Sequence, residues 1–411
     1  MNEPSRGGSR VEKRFVIGVV TGVVVGVVSV GTLYGVGRSN HAVVGQQEES
    51  KNIPVVYNQR KVNALEEVVR SNYIGEIIDN NMVEGIYKGY VYGVGDAYTT
   101  YLTKEAFSKQ QTEAEGYYVG TGIKFAWGIS NQYLMITEVI PNSPADKAGI
   151  VTGDKIFAID GIKALGSNDT KIYEKLTYNG KDPVKYTIKN NDETETKEVI
   201  LTADVVKINL VDSKLLEDGT GYIALDGLVD GTVKEIETAL DKLIDKGAHS
   251  VVLDIRSVYS DNLEEVQKLC DLFLDKEVAF SVKSKDGTVK PYETAEGSCT
   301  LPLAVLTNTY TEGVIEAFPA AIEAFARGSV VGEETAGNGT TQVRVPLEDG
   351  SGLSITTGLI LDAKGNQIKD HGVMPTITQK TITENTLELV TTGTLKLEND
   401  VVLQKAIEVL K

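Results

Sequence analysis

The sequence predicts a multidomain α/β protein with α+β character, and three observations carry this prediction. An uncharged apolar run occupies Phe15–Gly37, close to the N-terminus. A middle part, residues 117–206, alternates short β-rich runs with turn residues. After Asp218, strands alternate with amphipathic helices, a pattern typical of a partly parallel sheet covered by helices. At 411 residues, the chain is long enough for two or three domains.

The predicted boundaries follow these changes of pattern. Ahead of the β-rich part, apolar residues recur every three or four positions over Val62–Tyr73, which predicts a helix. A second helix is predicted over Asn80–Tyr92, and a third begins near Thr103. The chain therefore divides into a cytoplasmic tail (1–14), a transmembrane anchor (15–37), a linker (38–60), a helical lead-in (61–116), a β-rich domain (117–206), an α/β core (207–380) and a C-terminal helical segment (381–411).

The apolar run Phe15–Gly37 has the length of a membrane-spanning helix. Its 23 residues rise about 1.5 Å each, enough for a bilayer core of roughly 30 Å. Four basic residues precede the run and only Arg38 follows it closely; they are Arg6, Arg10, Lys13 and Arg14. The positive-inside rule then predicts a single-pass protein of the cell membrane, with its N-terminus in the cytoplasm and the bulk of the chain outside. A cleaved signal peptide is the alternative, but the run is long for one and no A-x-A site ends it.

The net charge of −17 argues against a nucleic-acid partner, because binding phosphates requires a basic surface. The chain has two cysteines, Cys270 and Cys299, and they lack the spacing of a metal site. We therefore predict no metal and no cofactor. One disulfide and two buried free thiols remain as alternatives for the cysteine pair.

The segment Asn142–Gly161, NSPADKAGIVTGDKIFAIDG, carries the turn chemistry of a small β-domain. Pro144 suits a first helical turn, Gly149 a helix C-cap, and Asp160-Gly161 a tight turn. The pattern resembles the PDZ domain, which adds a peptide to a sheet edge and captures its terminal carboxylate on backbone N–H groups. The resemblance implies a peptide-binding loop formed by Val119, Gly120, Thr121, Gly122 and Ile123. A purely structural or autoinhibitory role is the alternative, because such a groove can be occupied from within the same chain.

The chain from about Val62 to Thr378 resembles the C-terminal processing peptidases, also called tail-specific proteases. The motifs that carry the resemblance are GDAYTTYL before the PDZ-like segment, then GYIALDGL, LDIR and VVGEETAGNGTTQ, and the closing GLILDAKGNQIKDHGVMPTI. The resemblance implies a helical lead-in, an embedded PDZ domain and a serine-protease core of α/β type. Members hydrolyse peptide bonds near C-termini with a serine–lysine dyad, in which a lysine kept neutral by burial takes the hydroxyl proton.

The two dyad positions hold other residues in this chain. The family serine lies in a Ser-Ala-Ser-Ala-Ser-Glu run, which aligns on residues 311–316 and puts Gly313 at the nucleophile position. The family lysine lies in a Phe-Gly-Lys-Gly run, which aligns on residues 336–339 and puts Asn338 at the base position. The usual glutamine four residues later is present as Gln342. We therefore expect no intact catalytic residue.

The oxyanion loop also departs from the family pattern. The family strand is followed by Asn-Asn-Pro-Gly-Gly, whose backbone amides help to stabilise the oxyanion, whereas LDIR is followed here by Ser257–Asp261. Both glycines are absent, and we expect Asp261 to place a negative charge where the oxyanion would form.

The sequence therefore predicts a membrane-anchored, extracytoplasmic pseudopeptidase that binds peptide C-termini or a partner protein through its PDZ domain. The alternative is an active C-terminal processing serine endopeptidase with displaced catalytic residues. Candidates for that role have no spacing that a mechanism demands; they are Ser260, Thr309, Thr311, His249 and His371. The lead-in and the helix predicted at Asn399–Lys411 resemble segments that form dimer contacts in some relatives, so a homodimer is a further alternative.

Overall fold

The computed structural model describes residues 59–128, 132–176, 182–295, 297, 299–380 and 397–411. The predicted cytoplasmic tail and membrane anchor lie outside these residues. Within the described part of the chain, no helix is both long enough and apolar enough to cross a bilayer.

The lead-in consists of helices α1 (Gln59–Asn72), α2 (Asp79–Tyr92) and α3 (Lys104–Ala114), with the short strand β1 (Thr100–Leu102) before α3. Neither α1 nor α2 has a buried residue. Both helices expose large apolar side chains, such as Val68 and Tyr90. The side chain of Thr103 caps α3 by accepting a hydrogen bond from Ala106 N at 3.3 Å. Helix α2 contacts β1 through the ring pair of Tyr87 and Tyr101, but neither α1 nor α2 contributes a residue to the buried core.

The β-rich domain contains one sheet and two short helices. A separate two-stranded ribbon pairs its first strand with its last. The sheet order is β3-β4-β5-β7-β8 with β6 beside β5, and every pairing is antiparallel. The ribbon joins β2 to β9 and places Tyr117 opposite Lys207. The elements are β2 (Tyr117–Gly120), β3 (Ile123–Trp127), β4 (Leu134–Val139), α4 (Pro144–Lys147), β5 (Lys155–Ile159), β6 (Ile162–Lys163), α5 (Asp169–Leu176), β7 (Val184–Lys189), β8 (Thr196–Leu201) and β9 (Asp204–Lys207).

The core is built on a six-stranded sheet of order β10-β11-β12-β16-β18-β21, in which only the β10–β11 pair is antiparallel. Its central strands are buried along their whole length, as expected for a parallel sheet covered on both faces. The elements are β10 (Val211–Leu215), β11 (Thr220–Leu225), α6 (Thr232–Asp245), β12 (Ser250–Asp254), β13 (Tyr259–Ser260), α7 (Leu263–Phe273), β16 (Leu303–Thr307), β17 (Glu312–Gly313), α8 (Ala317–Ala324), β18 (Ser329–Gly332) and β21 (Ile377–Thr378).

A second, antiparallel sheet lies beside the core and includes a strand from the lead-in. Its long central strand β20 (Gly352–Leu361) pairs with β1, β14 (Val278–Ser284) and β19 (Thr340–Pro346), and β14 pairs with β15 (Val289–Glu293). Helices α6, α7 and α8 share one large buried apolar cluster with the core sheet. The C-terminal helix α9 (Val401–Val409) packs against strands β12, β16 and β18 in a second cluster.

The mixed α/β core and the embedded β-rich domain predicted from the sequence are confirmed. The helices of the lead-in begin at Gln59 and Asp79, close to the predicted starts. The second sheet was not anticipated, because two of its pairings join residues more than 60 positions apart, Ser281 with Leu361 and Thr100 with Ser354.

Candidate functional site

Gly313, at the predicted nucleophile position, ends the short strand β17 in a conformation that suits only glycine. Its φ is 92° and its ψ is −147°, a region that side-chain-bearing residues almost never occupy. A Cβ atom built on Gly313 would lie 2.4 Å from the carbonyl oxygen of Ser260 and 3.3 Å from the ring of Tyr259. The position therefore lacks the room for a side chain as well as the side chain itself.

Residues Ser257–Asp261, hereafter the 257–261 segment, cause this crowding. Strand β13 pairs in parallel with β17, which places Ser260 opposite Gly313. Glu312 N donates to Val258 O at 3.0 Å. The hydroxyl of Ser260 donates to Leu228 O at 2.8 Å. The backbone edge beside Gly313 is thus already paired with the chain's own residues.

The start of the 257–261 segment is held by an asparagine from the neighbouring loop. Ser257 has a φ of 61°, and its N–H donates to Asn308 Oδ1 at 2.9 Å. Asn308 Nδ2 returns a hydrogen bond to Ser257 Oγ at 3.1 Å. The hydroxyl of Thr311 donates to Ile255 O at 3.0 Å from the same loop. The residues that stand in place of the family glycines therefore form a turn held by side-chain hydrogen bonds.

The two dyad positions are held together by the buried carboxylate of Glu316. Its Oε1 accepts hydrogen bonds from the backbone N–H groups of Gly313, Asn338 and Gly339 at 2.9–3.1 Å. Its Oε2 accepts from Gly337 N at 2.7 Å and from the Thr335 hydroxyl at 2.6 Å. Burial raises the pKa of Glu316, while these donors oppose the rise.

Asn338, at the predicted base position, is fully buried within a chain of polar side chains. Its Nδ2 donates to Glu312 Oε1 at 3.3 Å, and its Oδ1 accepts from the hydroxyl of Thr340. Gln342 Nε2 in turn donates to Thr340 Oγ1 at 2.5 Å, which leaves the buried Gln342 Oε1 without a partner in the described part of the chain. The retained glutamine is therefore connected to the base position through Thr340.

The electrostatics of this polar chain do not resemble those of an activated nucleophile and base. Burial raises the pKa of Glu312, opposed by hydrogen bonds from Asn338 and Tyr98. Burial also raises the pKa of the Tyr98 phenol, and the charges of Glu312 and Glu316 raise it further. An amide at position 338 has no basic nitrogen, so the residue at the predicted base position cannot accept a proton.

The expectation for Asp261 is corrected by the structure. Its carboxylate forms an ion pair with Arg344 of β19, so the guanidinium offsets the charge expected near the oxyanion position. A polar cleft of about 410 Å³ opens beside this pair and is lined in part by Gln342 and Asn262. The sequence could not indicate the pairing, because the partners are separated by 83 positions.

The alternative catalytic residues each have a structural role or lie on the surface. The hydroxyls of Ser260 and Thr311 donate to backbone carbonyls. The ring of His249 is hydrogen-bonded to Asp218 O at 2.9 Å. Thr309 and His371 are exposed. None of these five side chains is hydrogen-bonded to another of the five within the described residues.

The predicted peptide-binding loop divides between two strands and a connection. Val119 and Gly120 pair with β9, Ile123 begins β3, and only Thr121 and Gly122 form the connecting loop. The carbonyls of this loop accept hydrogen bonds from Ala145 N and Ile140 N, at 2.9 and 2.8 Å. Among the described residues, strand β3 lies at the end of its sheet, beside β4.

Cys270, on α7, and Cys299 are free thiols, and both belong to the large buried apolar cluster of the core. Burial strongly raises the pKa of Cys270 and also raises that of Cys299. Within the described residues, no three His, Cys, Asp or Glu side chains are grouped to hold a metal ion.

Sequence reasoning missed Glu316, Thr340 and Tyr98 as members of the site. The signal for Glu316 was present, because the family run aligned on residues 311–316 ends in glutamate. Tyr98 lies in the GDAYTTYL motif, over two hundred positions before its partner Glu312, so only the folded chain shows that they meet.

Both the β-rich domain and the α/β core match known protein families. Residues 219–379 match the model of peptidase family S41, and residues 135–188 match the model of the PDZ domain. The chain is 27% identical over 368 residues to the carboxy-terminal processing protease CtpA of Bacillus subtilis, covering 89% of this chain and 76% of the relative. It is 28% identical over 284 residues to a carboxyl-terminal-processing protease of Picosynechococcus, covering 68% and 69%.

A crystal structure of a Bacteroides fragilis protein described as an S41 protease is similar in fold. Its TM-score is 0.55 at 15% identity, covering 79% of this chain and 89% of that one. Residues 219–379 therefore form a domain of the peptidase family S41 type, residues 135–188 form a PDZ domain ahead of it, and the chain is similar to carboxy-terminal processing proteases over most of its length.

Proposed function

We propose that this protein is a pseudopeptidase, which keeps the S41 fold and binds peptides without cleaving them. The observation that carries the proposal is the crowding at Gly313, where a Cβ would lie 2.4 Å from Ser260 O. The amide at Asn338 and the paired backbone edge of β17 support it further. Without nucleophile, base and oxyanion loop, little of the family's rate enhancement would remain.

An active-site-directed fluorophosphonate tests this proposal directly. The wild-type protein, incubated with the probe beside the Bacillus subtilis relative as a positive control, should remain unlabelled. Cleavage of an unfolded model protein is the second measurement, and no products are expected. Labelling at a serine or threonine, together with turnover, would favour the alternative of a working processing peptidase with displaced residues.

The ligand that we propose for the PDZ domain is the C-terminus of a peptide or protein. The support is the position of β3 at the end of its sheet, where an extended peptide could add along the outer edge as a further strand. Thr121 N and Gly122 N donate to no described residue, and they lie at the start of that edge. A free-acid peptide should therefore bind more tightly than the same peptide with an amidated C-terminus. Equal affinities would remove carboxylate capture and leave internal strand addition as the explanation.

We also propose that the chain is anchored in the cell membrane by residues 15–37, with the folded part outside. The support is the charge asymmetry around the apolar run. Protease added to intact cells should digest the part of the chain after Arg38. Protection of that part until the cells are lysed would overturn the proposed topology.

Self-association through the lead-in is a further part of the proposal. Exposed apolar side chains on α1 and α2 support it, because a monomer rarely leaves such a surface open. Sedimentation velocity of a chain starting after Arg38 should give a dimer. Replacement of Val68 and Tyr90 by glutamate should give a monomer, whereas a monomeric wild type would contradict the proposal.

A further inference from the structure

The strongest unexplained feature outside the site is a buried charged cluster where the C-terminal helix meets the core sheet. Arg256, at the end of the LDIR strand, contacts Asp254 through Nε at 2.9 Å and Asp400 through Nη2 at 2.7 Å. Tyr222 donates to Asp254 Oδ2 at 2.6 Å. All four groups are buried. Charged groups are rarely fully buried unless they are paired, and removal of one partner from such a pair is strongly destabilising.

Asp400 has two functions in this cluster. Its Oδ1 caps α9 by accepting hydrogen bonds from Val402 N and Leu403 N, at 3.0 and 3.1 Å. The same carboxylate binds the guanidinium of Arg256, 144 positions earlier in the chain. One side chain therefore both caps the helix and pairs it with the core sheet.

Helix α9 also connects the core sheet to the PDZ domain. Its buried residues, among them Leu403 and Ala406, share one cluster with Tyr222 of β11 and with Ala126 of the PDZ strand β3. Beside this cluster, Lys124 of β3 forms an ion pair with Asp226 of the core at 3.2 Å. The strand proposed to receive a peptide is thus packed into the same cluster as the C-terminal helix.

Arg256 is the residue that immediately precedes the 257–261 segment. Asp254 Oδ1 accepts from the backbone N–H of Arg256 at 3.1 Å and from its side-chain Nε. The direction in which the chain leaves β12 is therefore tied to the charged cluster. From Ser257 the chain continues into β13, which pairs with β17 so that Ser260 lies opposite Gly313.

We propose that α9 is a strap, fastened by the Arg256–Asp400 ion pair, which holds both the 257–261 segment and the PDZ strand β3 in the positions that they occupy in the structure. Release of the strap frees both elements. The inference rests on the proposed function in one respect. The 257–261 segment, which α9 would hold, lies beside Gly313 at the predicted nucleophile position.

The test is hydrogen–deuterium exchange on the full-length protein in detergent, comparing wild type, Asp400→Ala and Glu408→Ala. Glu408 is an exposed acid on the same helix, paired only with Lys405 among the bonds described, so its variant is the matched control. We expect Asp400→Ala to raise amide exchange about tenfold in residues 255–262 and 123–127 as well as in α9. Glu408→Ala should leave all three regions unchanged.

An increase in amide exchange confined to α9 would overturn the proposal, because the helix would then detach from the core sheet without affecting the 257–261 segment or β3. Exchange in β15 shows whether the variant has unfolded as a whole, since that strand is remote from the cluster. If Asp400→Ala unfolds as a whole, the comparison is made with Asp400→Asn, because that variant keeps a capping oxygen and removes the charge. Raised exchange in 255–262 with a protected β15 supports the strap, and wild-type exchange there overturns it. Fluorophosphonate labelling is read independently, so failure of the strap and failure of the pseudopeptidase proposal are distinguishable.

Discussion

Restoring the serine–lysine dyad by Gly313→Ser with Asn338→Lys should not restore proteolysis. At position 313, the backbone conformation by itself costs a side-chain-bearing residue about 1–3 kcal/mol. The 2.4 Å approach of the new Cβ to Ser260 O adds a clash that only movement of the 257–261 segment can relieve. That movement breaks the β13–β17 pairing, at roughly 0.5–1.5 kcal/mol for each hydrogen bond lost.

The lysine at position 338 meets a second obstacle. Asn338 Nδ2 lies 3.3 Å from Glu312 Oε1, so an ammonium placed there would pair with that carboxylate. The ion pair would raise the pKa of the lysine, whereas a general base must be neutral. Even a correctly placed serine would therefore find a base that is already protonated.

Glycine variants separate the clash from the backbone strain. Gly365 also has a positive φ, 82°, but a Cβ there would meet nothing within 4 Å. In urea unfolding we expect Gly365→Ala to cost about 1 kcal/mol and Gly313→Ala to cost about 3 kcal/mol or more, the excess reporting the clash. Equal costs for the two variants would refute the crowding argument.

Activity is measured as cleavage of an unfolded model protein. The double mutant should show no turnover, and a third variant that also carries Asn-Pro-Gly-Gly at 258–261 should exceed it. The reason is that a missing oxyanion donor typically costs about 2.7–4 kcal/mol. Full turnover by the double mutant would refute the reasoning from the loop, although it would leave the wild type a pseudopeptidase.

Three further predictions concern buried groups. Glu316→Ala should lower the free energy of unfolding by roughly 3–5 kcal/mol, because four backbone N–H groups lose their acceptor. A loss no larger than that of Glu323→Ala, which removes only the hydrogen bonds from Thr376, would contradict this. Since the folded pKa of Glu312 is raised, its contribution to stability is full below pH ~4.3 and is lost as the pH rises through the raised value. Glu312→Gln should therefore lose less stability than wild type between pH 4 and 7, and parallel urea-derived curves would count against it. Cys270 should react with a thiol reagent only after denaturation, so rapid labelling of the native protein would show that its burial is wrong.

Local signals in the sequence were sufficient for the PDZ domain. Asp160 and Gly161 both adopt positive φ, 47° and 78°, as a two-residue hairpin turn requires. Gly149 adopts a φ of 71° after the short helix α4. These features depend on neighbours within a few positions, which is why turn chemistry predicted them.

The arrangement of the candidate site could not be predicted in the same way. The donors to Glu316 come from Gly313 and from residues 335–339, about twenty positions later. The partner of Arg256 in the C-terminal helix is 144 positions away. The alignment identified which residues occupy the dyad positions, but the β13–β17 pairing that crowds Gly313 has no local signature. Contacts at such separations are specified by the whole fold rather than by a motif.

The ribbon of β2 and β9 has a consequence for how this protein could be rearranged. Tyr117 and Lys207 face each other across an antiparallel pair, so the ends of the PDZ segment are only about 5 Å apart. The chain enters and leaves the domain at one point, as it does in an inserted module. A short turn, or a PDZ domain of different specificity, could therefore be exchanged at this ribbon while the S41 core keeps its connectivity.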